Sequence, residues 1–236
     1  LLARDVTINC LALDLDYVGE ASLLMLDPSR GLDDLVNGRI KMVTNRSFDQ
    51  DPLRVLRCLR LASELGFTIE EATLRMIRLG AHLISTVAKE RVRDELFLLL
   101  RNPGSAQYLK SEGGPPLLAE ILGYEPHLET LQRLETILSD GRAVGRERKE
   151  NLRSYFEVGD GPQRESLLKL TALALEPGGK GQDPGTFSKK LRLSTKEAKT
   201  LLRWKKLSFS LKGLLAEWDD SSSIPEFLVL AKEDTV

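Results

Sequence analysis

The spacing of hydrophobic residues changes about fifty residues into the chain. A β-branched run at residues 6–8 leads into an apolar alternation that is typical of a strand. We therefore predict strands over residues 5–15, 23–26 and 40–43. From residue 51 onward the hydrophobic residues recur three and four positions apart, as on amphipathic helices. The pattern predicts a mostly α-helical protein with a short β segment at its beginning.

Start and stop signals place the predicted helices. Asp51 followed by Pro52 is a typical helix start, because Asp accepts backbone hydrogen bonds and Pro fits the first turn. Gly66 is a typical stop for that helix. Residues 68–71, Thr-Ile-Glu-Glu, match a capping box and predict that the next helix begins there and ends near residue 79. Further helices are predicted near residues 88–101, 117–122, 127–138, 146–156, 163–175, 194–206 and 224–230.

Composition narrows the class of protein. The chain has 236 residues, of which 42% are hydrophobic and 29% charged, which excludes a disordered tail. It contains no apolar run near the roughly 18 to 20 residues that span a bilayer. Two cysteines and two histidines argue against a disulfide scaffold and against a Cys- or His-built metal site. This cysteine usage favours a reducing compartment, and we predict a cytoplasmic protein.

The net charge of −1 hides two strongly basic segments. Residues 39–60 carry six basic and two acidic side chains, and residues 186–212 carry nine basic side chains and one acidic. Local basic fields on a nearly neutral protein suit the binding of a polyanion such as RNA. The alternative is that each segment is the solvated face of a helix.

One pair of acidic residues is a candidate metal site. Asp14 and Asp16 lie two positions apart at the end of the first predicted strand, on one face, where they could hold magnesium. Asp16 also enters a turn that contains glycine, where Asp is common because it hydrogen-bonds its own backbone. The sequence leaves both interpretations open and favours the turn.

A row of charged residues is the stronger candidate site. Asp51, Arg54, Arg57 and Arg60 are three positions apart and form one slanting row on the predicted helix. Arginine suits phosphates and base edges because its guanidinium group donates several hydrogen bonds in a fixed plane. Asp51 would add acceptors for a base. The alternative is structural: Asp51 would only start the helix, and the arginines would pair with surface carboxylates.

A second candidate site lies in the basic segment near the end of the chain. We predict contacts with an RNA backbone from the following residues: Lys189, Lys190, Arg192, Lys196, Lys199 and Arg203. Helical spacing lets several of them face one side, and the opposite side would be anchored by four leucines: Leu191, Leu193, Leu201 and Leu202. The alternative is that these cations keep the surface solvated or pair with the acidic residues 217–220.

Four ordered motifs resemble one protein family. Residues 4–12, RDVTINCLA, resemble the motif RRDFTINALA, and residues 27–35 resemble DPFGGxxDL. Residues 50–62, QDPLRVLRCLRLA, resemble EDxLRxLRAxRFA, and residues 64–67 and 90–96 continue the likeness. These motifs are those of the tRNA nucleotidyltransferase and bacterial poly(A) polymerase family.

The resemblance implies a fold and a division of the chain. Residues 1–48 would be the end of a nucleotidyltransferase palm domain, and residues 49–112 a helical neck with the nucleotide-recognition helix. Residues 113–236 would form a helical, tRNA-binding body. Within it, residues 170–180 faintly resemble a phosphohydrolase motif that is degenerate at Glu176 and Pro177, so we predict no such activity.

The resemblance also implies residue roles. The nucleotide-binding residues would be Arg4, Asp51, Arg54, Arg57 and Arg60, with Asp51 and Arg54 reading the Watson–Crick edge of C or A. The family transfers a nucleotide from ATP or CTP to an RNA 3′-hydroxyl, using two magnesium ions and releasing pyrophosphate. We therefore expect part of an enzyme that adds C or A, or both, to the tRNA 3′ end. The alternatives are a poly(A) polymerase and a non-catalytic RNA-binding module.

The sequence departs from the family pattern in three places. In the family, the metal-binding carboxylates precede the motif at Arg4, and residues 1–236 do not contain them. We therefore expect magnesium to be bound by an N-terminal part of the intact enzyme. We predict that residues 1–236 alone are inactive. Gln50 replaces the usual Glu before Asp51, and the loop at residues 29–30 has Ser-Arg in place of Phe-Gly.

Overall fold

The computed structural model describes residues 1–14, 24–126, 128–139, 161–174 and 183–202. The chain divides into two compact units, Leu1–Glu125 and Pro126–Val236. The described parts are mostly helical and contain two small two-stranded sheets, so the predicted fold class is confirmed. No helix in these ranges is long and apolar enough to cross a membrane.

The prediction of a strand over residues 5–15 is wrong for most of its length. Thr7–Cys10 form a 3₁₀ helix. Val6, before this helix, is extended and forms an isolated antiparallel bridge with Met42. Ala12–Leu13 (β1), after it, pair antiparallel with Met25–Leu26 (β2). Two hydrogen bonds to the carboxylate of Asp5 stabilise this turn, from the Val6 backbone N–H and the Asn9 side-chain amide, each at 2.9 Å. Local side-chain acceptors of this kind compete with strand pairing, and here they outweigh the β propensity of the sequence.

The first helices and the second sheet follow. Helix α1 spans Gly31–Val36, and the short α2 spans Ser47–Gln50. Between them lies β3, Arg39–Ile40, which pairs in parallel with β4, Thr68–Ile69. The capping-box prediction at residues 68–71 is therefore wrong, because those positions begin with a strand.

The remaining elements of the first unit are helical. They are α3 Arg54–Leu65, α4 Glu71–Gly80, a 3₁₀ helix Ala81–Thr86, α5 Lys89–Arg101, α6 Ser105–Leu109 and α7 Gly114–Leu122. Gly66 ends α3 with a left-handed backbone, φ 68°, as predicted. The Gly-Gly-Pro-Pro cluster at residues 113–116 starts α7.

The core of the first unit lies where α3 packs against α5. One face of α3 is fully buried, with Val55, Leu56 and Leu59 among its residues. The α5 residues Leu96 and Leu99 are equally buried. Each such side chain contributes about 1.5–3 kcal/mol when it leaves water, so this contact fixes α5 against α3. The opposite, polar face of α3 carries the candidate row.

The second unit contains four described helices. They are α8 Glu129–Ser139, α9 Gly161–Ala174, α10 Pro184–Lys190 and α11 over residues 195–202. Helices α8 and α9 pack together, and the buried Lys169 of α9 pairs with Glu135 at 3.2 Å and Glu165 at 3.1 Å. Helix α10 was not predicted, although Asp183 followed by Pro184 is the same start signal as at residues 51–52.

Three sequence predictions lie outside the described residues. These are the helices near 146–156 and 224–230 and the degenerate phosphohydrolase positions Glu176 and Pro177. The three-part division at residues 48 and 112 stays a prediction.

Candidate functional site

Asp51 follows α2 and lies three residues before α3, so the prediction that it caps the start of this helix is wrong: Leu53 holds that position, and no side chain caps it. The Asp51 carboxylate acts in the turn that leads into α3. Its Oδ1 accepts the backbone N–H of Leu53 at 3.3 Å, and the Asp51 carbonyl oxygen accepts the backbone N–H of Arg54 at 3.0 Å. The Asp51 side chain is 28% exposed, so the carboxylate holds this turn and still reaches solvent.

Arg54 is held by three acceptors. Its guanidinium donates to the backbone oxygen of Ser47 at 3.2 Å, to Oε1 of Gln50 at 3.5 Å and to the backbone oxygen of Ala3. Two of these acceptors precede the helix and one belongs to the N-terminal segment. These contacts fix the direction of the Arg54 guanidinium.

Arg57 pairs with a buried carboxylate of the same segment. Arg57 Nη2 lies 2.8 Å from Oδ2 of Asp5, whose side chain is 5% exposed, whereas that of Arg57 is 37% exposed. The Nε atom of Arg57 is buried and makes no hydrogen bond within the described part of the chain. Burial alone would raise the pKa of Asp5, but the amide of Asn9, the charge of Arg57 and the N–H of Val6 hold this pKa below its ordinary value.

Arg60 lies between two carboxylates. Its Nε donates to Glu95 of α5 and its Nη1 donates to Glu64, one turn further along α3. The Arg60 side chain is only 15% exposed. These ion pairs tie α3 to α5 and neutralise the charge of Arg60. The alternative interpretation of the row was that its arginines only pair with carboxylates of the protein. It describes Arg60 better than Arg54 or Arg57.

Sequence reasoning missed the residue that faces Asp51. Arg91 of α5 approaches the carboxylate with its Nη2, 3.3 Å from Oδ2 and 3.5 Å from Oδ1. The signal was present in the sequence, because Arg91 and Glu95 are four positions apart on α5 and carry the charges opposite to Asp51 and Arg60.

The predicted nucleotide-binding residue Arg4 is exposed. It lies in the chain between Ala3 and Asp5, the two residues that contact Arg54 and Arg57. The structure thus brings the first motif next to α3, although about fifty residues separate them in the sequence.

The loop before α1 packs against the first motif. The Asp27 carboxylate accepts the N–H groups of Leu32 at 3.0 Å and Gly31 at 2.6 Å, and these bonds, that of Leu32 above all, keep the pKa of Asp27 below its ordinary value. A Cβ atom on Gly31 would lie 2.1 Å from the carbonyl oxygen of Thr7, so only glycine fits there. Arg30 has a left-handed backbone, φ 57°, at a position where the family motif has glycine.

The described residues offer no metal centre. They include no group of three or more His, Cys, Asp or Glu side chains that could hold an ion. Asp16 of the Asp14–Asp16 pair lies outside them. Cys10 and Cys58 are buried free thiols, and burial raises the pKa of Cys58.

The basic residues of the second unit lie on two consecutive helices. Helix α11 begins with a capping box, in which the Ser194 N–H donates to Glu197 Oε2 at 2.6 Å and the Glu197 N–H donates to Ser194 Oγ at 3.2 Å. Of the predicted RNA-binding residues, Lys190 is half-buried, Arg203 lies outside the described residues, and the others are exposed: Lys189, Arg192, Lys196 and Lys199.

The predicted leucine anchor is only partly present. Leu191 and Leu201 are buried, as expected for residues that hold these helices to the unit. Leu193 is half-buried, whereas Leu202 is 44% exposed, so the prediction that Leu202 is an anchor is wrong. Leu201 and Leu202 are consecutive residues of α11 and lie about 100° apart around its axis, so Leu201 faces the unit and Leu202 does not.

Comparison with known proteins identifies the family. Residues 66–111, from the end of α3 through α6, match a family described as "Probable RNA and SrmB- binding site of polymerase A". The chain is 35% identical over 199 residues to the CC-adding tRNA nucleotidyltransferase of Geobacter sulfurreducens, covering 82% of this chain and 44% of the relative. It is 45% identical over 134 residues to the CCA-adding enzyme of Limosilactobacillus reuteri, covering 56% and 31%. The chain spans less than half the length of these relatives.

Solved structures share the fold. A tRNA-processing enzyme in an apo form superposes with a TM-score of 0.67 at 23% identity, covering 98% of this chain and 62% of that one. A tRNA nucleotidyltransferase complexed with a primer tRNA and an incoming ATP analog gives 0.63 at 23% identity, covering 100% and 65%. The fold is thus the mostly helical one of these RNA-processing proteins. The chain belongs to the tRNA nucleotidyltransferase and poly(A) polymerase family, which confirms the resemblance of its ordered motifs.

Proposed function

We propose that this chain supplies nucleotide recognition and RNA binding to an RNA nucleotidyltransferase that adds C or A, or both, to the tRNA 3′ end without a nucleic-acid template. The observation that carries the proposal is that Asp51 and Arg54, an acceptor and a donor three positions apart at the entry to α3, are each held by contacts of their own. The relatives named as CC-adding and CCA-adding enzymes support it.

The pair suits the amino-bearing bases. Cytosine and adenine each present an exocyclic amine beside a ring nitrogen acceptor, so Asp51 would accept from the amine and Arg54 would donate to the ring nitrogen. Uracil and guanine present a carbonyl oxygen and a ring N–H at those places, which would leave both side chains badly matched. The arrangement of hydrogen-bond donors and acceptors would thereby select C and A.

The other arginines would serve the phosphates. The Arg57 side chain is more than one-third exposed, so part of its guanidinium would reach a triphosphate even while Nη2 pairs with Asp5. Its buried Nε is not available for this contact. Arg4 is exposed and directly precedes Asp5 in the first motif. Arg60 would support the site indirectly, because its donors are directed at Glu64 and Glu95 and these ion pairs join α3 to α5.

The RNA would lie along the basic helices α10 and α11. Lys189, Lys196 and Lys199 are exposed there, and lysines bind phosphates without reading the sequence. Such contacts would position a tRNA and leave base selection to the pair on α3. Residues 66–111, which match the RNA-binding family description, would add a second RNA contact.

Nucleotidyl transfer needs metal chemistry that the described residues do not supply. Two magnesium ions would stabilise the attacking and leaving oxygens when bound, and the described part of the chain has no cluster to hold them. ATP and CTP as substrates, magnesium as cofactor, a cytoplasmic location and the palm, neck and body division remain part of the proposal.

A poly(A) polymerase is the second candidate. The match of residues 66–111 to a polymerase A description favours it, since the two activities share the site described above. A non-catalytic RNA-binding module would keep the basic helices and lack nucleotide transfer.

One experiment separates these functions. The protein expressed from its complete reading frame is incubated with a tRNA that ends at the discriminator base, with each nucleotide singly and then with CTP and ATP together. Addition of C or A that stops at the CCA end supports the proposal. A long A tail on any RNA supports the polymerase, and binding without any addition supports the module.

A further inference from the structure

We propose that Arg91 of α5 is a positioning residue for nucleotide selection, because it fixes the orientation of the Asp51 carboxylate. This inference rests on the proposed function, in which Asp51 reads the base. It assigns a role to a residue outside the arginine row, because Arg91 follows Asp51 by 40 positions in the sequence.

The contacts divide the Asp51 carboxylate between two elements. Oδ1 accepts the N–H of Leu53 in the turn that leads into α3, and Nη2 of Arg91 on α5 lies 3.3 Å from Oδ2 and 3.5 Å from Oδ1. A carboxylate held by one oxygen alone can rotate about its terminal torsion, which is broad and nearly two-fold. Partners on both oxygens restrict that rotation and set the direction of the remaining lone pairs.

Arg91 is presented by a firmly held helix. Four positions along α5, Glu95 pairs with Arg60 at the other end of the row, and Leu96 and Leu99 are fully buried against α3. Helix α5 therefore contacts both ends of the row through ion pairs. Arg91 pairs with Asp51 at one end, and Glu95 pairs with Arg60 at the other. A rigid element placed in this way can define a side-chain direction more precisely than a loop.

The exposure of the pair fits a role in recognition better than one in stability. The Arg91 side chain is 56% exposed and that of Asp51 is 28% exposed, and exposed ion pairs contribute little to folding. Their proximity still matters for a ligand, because the base that approaches Asp51 meets a carboxylate whose second oxygen is already oriented.

The test compares nucleotide selectivity in matched variants. The protein expressed from its complete reading frame is measured for equilibrium binding of CTP and UTP, as the parent and as Arg91→Gln, Arg91→Lys and the control Arg93→Gln. Arg93 lies on the same helix but pairs with its neighbour Asp94. We expect Arg91→Gln to lower the ratio of CTP to UTP affinity about fivefold, part of what one bidentate base contact supplies. Arg91→Lys should recover at least half of that loss, and Arg93→Gln should leave the ratio unchanged.

An Asp51→Asn variant separates the two hypotheses. If Asp51→Asn leaves the selectivity unchanged, Asp51 does not read the base, and the proposed function and this inference both fail. If Asp51→Asn abolishes the selectivity while Arg91→Gln preserves it, only the role of Arg91 is overturned. Thermal melting accompanies each measurement: a loss of stability in Arg91→Gln without a change in selectivity also overturns the positioning role.

Discussion

Arg57 Nη2 lies 2.8 Å from Oδ2 of Asp5, across a gap of 52 positions in the sequence. This ion pair joins the first sequence motif to the helix that carries the candidate row. Asp5 is buried and Arg57 is partly exposed, so the carboxylate is the fixed member and the guanidinium the one that reaches outward.

The first prediction concerns Asp5. Asp5→Asn should lower the free energy of unfolding by about 1–3 kcal/mol, because it removes the charge opposite Arg57 from a buried site. The folded-state pKa of Asp5 is lowered, so its contribution is fully present above the ordinary value of 3.8 and is lost as the pH falls through the folded-state pKa.

Denaturant unfolding between pH 7 and pH 2 checks this. The parent should lose part of its stability in acid, and the difference between parent and Asp5→Asn should shrink at the lowest pH. Asp49→Asn, at an exposed position, is the matched control. An equal difference at every pH would contradict the assignment.

The second prediction concerns the left-handed backbone of Arg30. Arg30→Gly should raise the free energy of unfolding by about 0.5–1 kcal/mol, because a residue with a Cβ is strained at φ 57° and the relief exceeds the entropic cost of glycine. Arg46→Gly is the control, since Arg46 is also exposed but has φ −93°, and it should be destabilising. Thermal melting that ranks the two in the opposite order would exclude the strain argument.

The third prediction concerns the close approach of α1 to the first motif. Gly31→Ala should destabilise the protein by about 2–3 kcal/mol, because its Cβ would overlap the Thr7 carbonyl and force the backbone apart. Gly66→Ala should cost less, about 1 kcal/mol, since open space surrounds Gly66 and only its positive φ opposes a side chain. The midpoints of urea unfolding should be lower for Gly31→Ala than for Gly66→Ala. Equal midpoints would refute the predicted clash with Thr7.

The fourth prediction concerns Arg54. Arg54→Ala in the protein expressed from its complete reading frame should cost about 1–3 kcal/mol of discrimination between bases, as expected when a hydrogen-bond donor to a base edge is removed. RNA affinity should change little, because phosphate contacts lie elsewhere. The measurement is the kcat/KM for each nucleotide beside the Kd for tRNA. If selectivity is kept and only the melting temperature falls, Arg54 is a structural residue that holds Ala3 and Ser47.

The fifth prediction concerns the basic helices. A variant with alanine at Lys189, Lys190, Lys196 and Lys199 should bind tRNA more weakly and with a shallower dependence on salt. The log–log slope should fall by about 0.9 for each duplex phosphate that the variant no longer neutralises. Titrations at several salt concentrations give this slope. An unchanged affinity and slope would show that these lysines are ordinary solvated surface.

The sequence by itself located the longer helices of the first unit: α3, α4, α5 and α7. Gly66 ends α3 as predicted, and the three-residue spacing indicated that the row shares one face, because these are local effects within a few turns. The sequence did not predict α2, α6 or the 3₁₀ helix at residues 81–86. The family could also be predicted, since its motifs are short and ordered. Local β propensity failed at Thr7–Cys10, where the Asp5 carboxylate stabilises a 3₁₀ turn.

Only the tertiary structure decided what each member of the row contacts. Asp5 and Arg91 are far from α3 in sequence, and their approach depends on the packing of the N-terminal segment and of α5. The three-residue spacing therefore gave four equivalent positions, whereas long-range packing brought Glu95 of α5 to Arg60 and Arg91 of α5 to Asp51. Ion pairs between distant elements form because the core packs those elements together. A local pattern in the sequence therefore does not show which charges will meet.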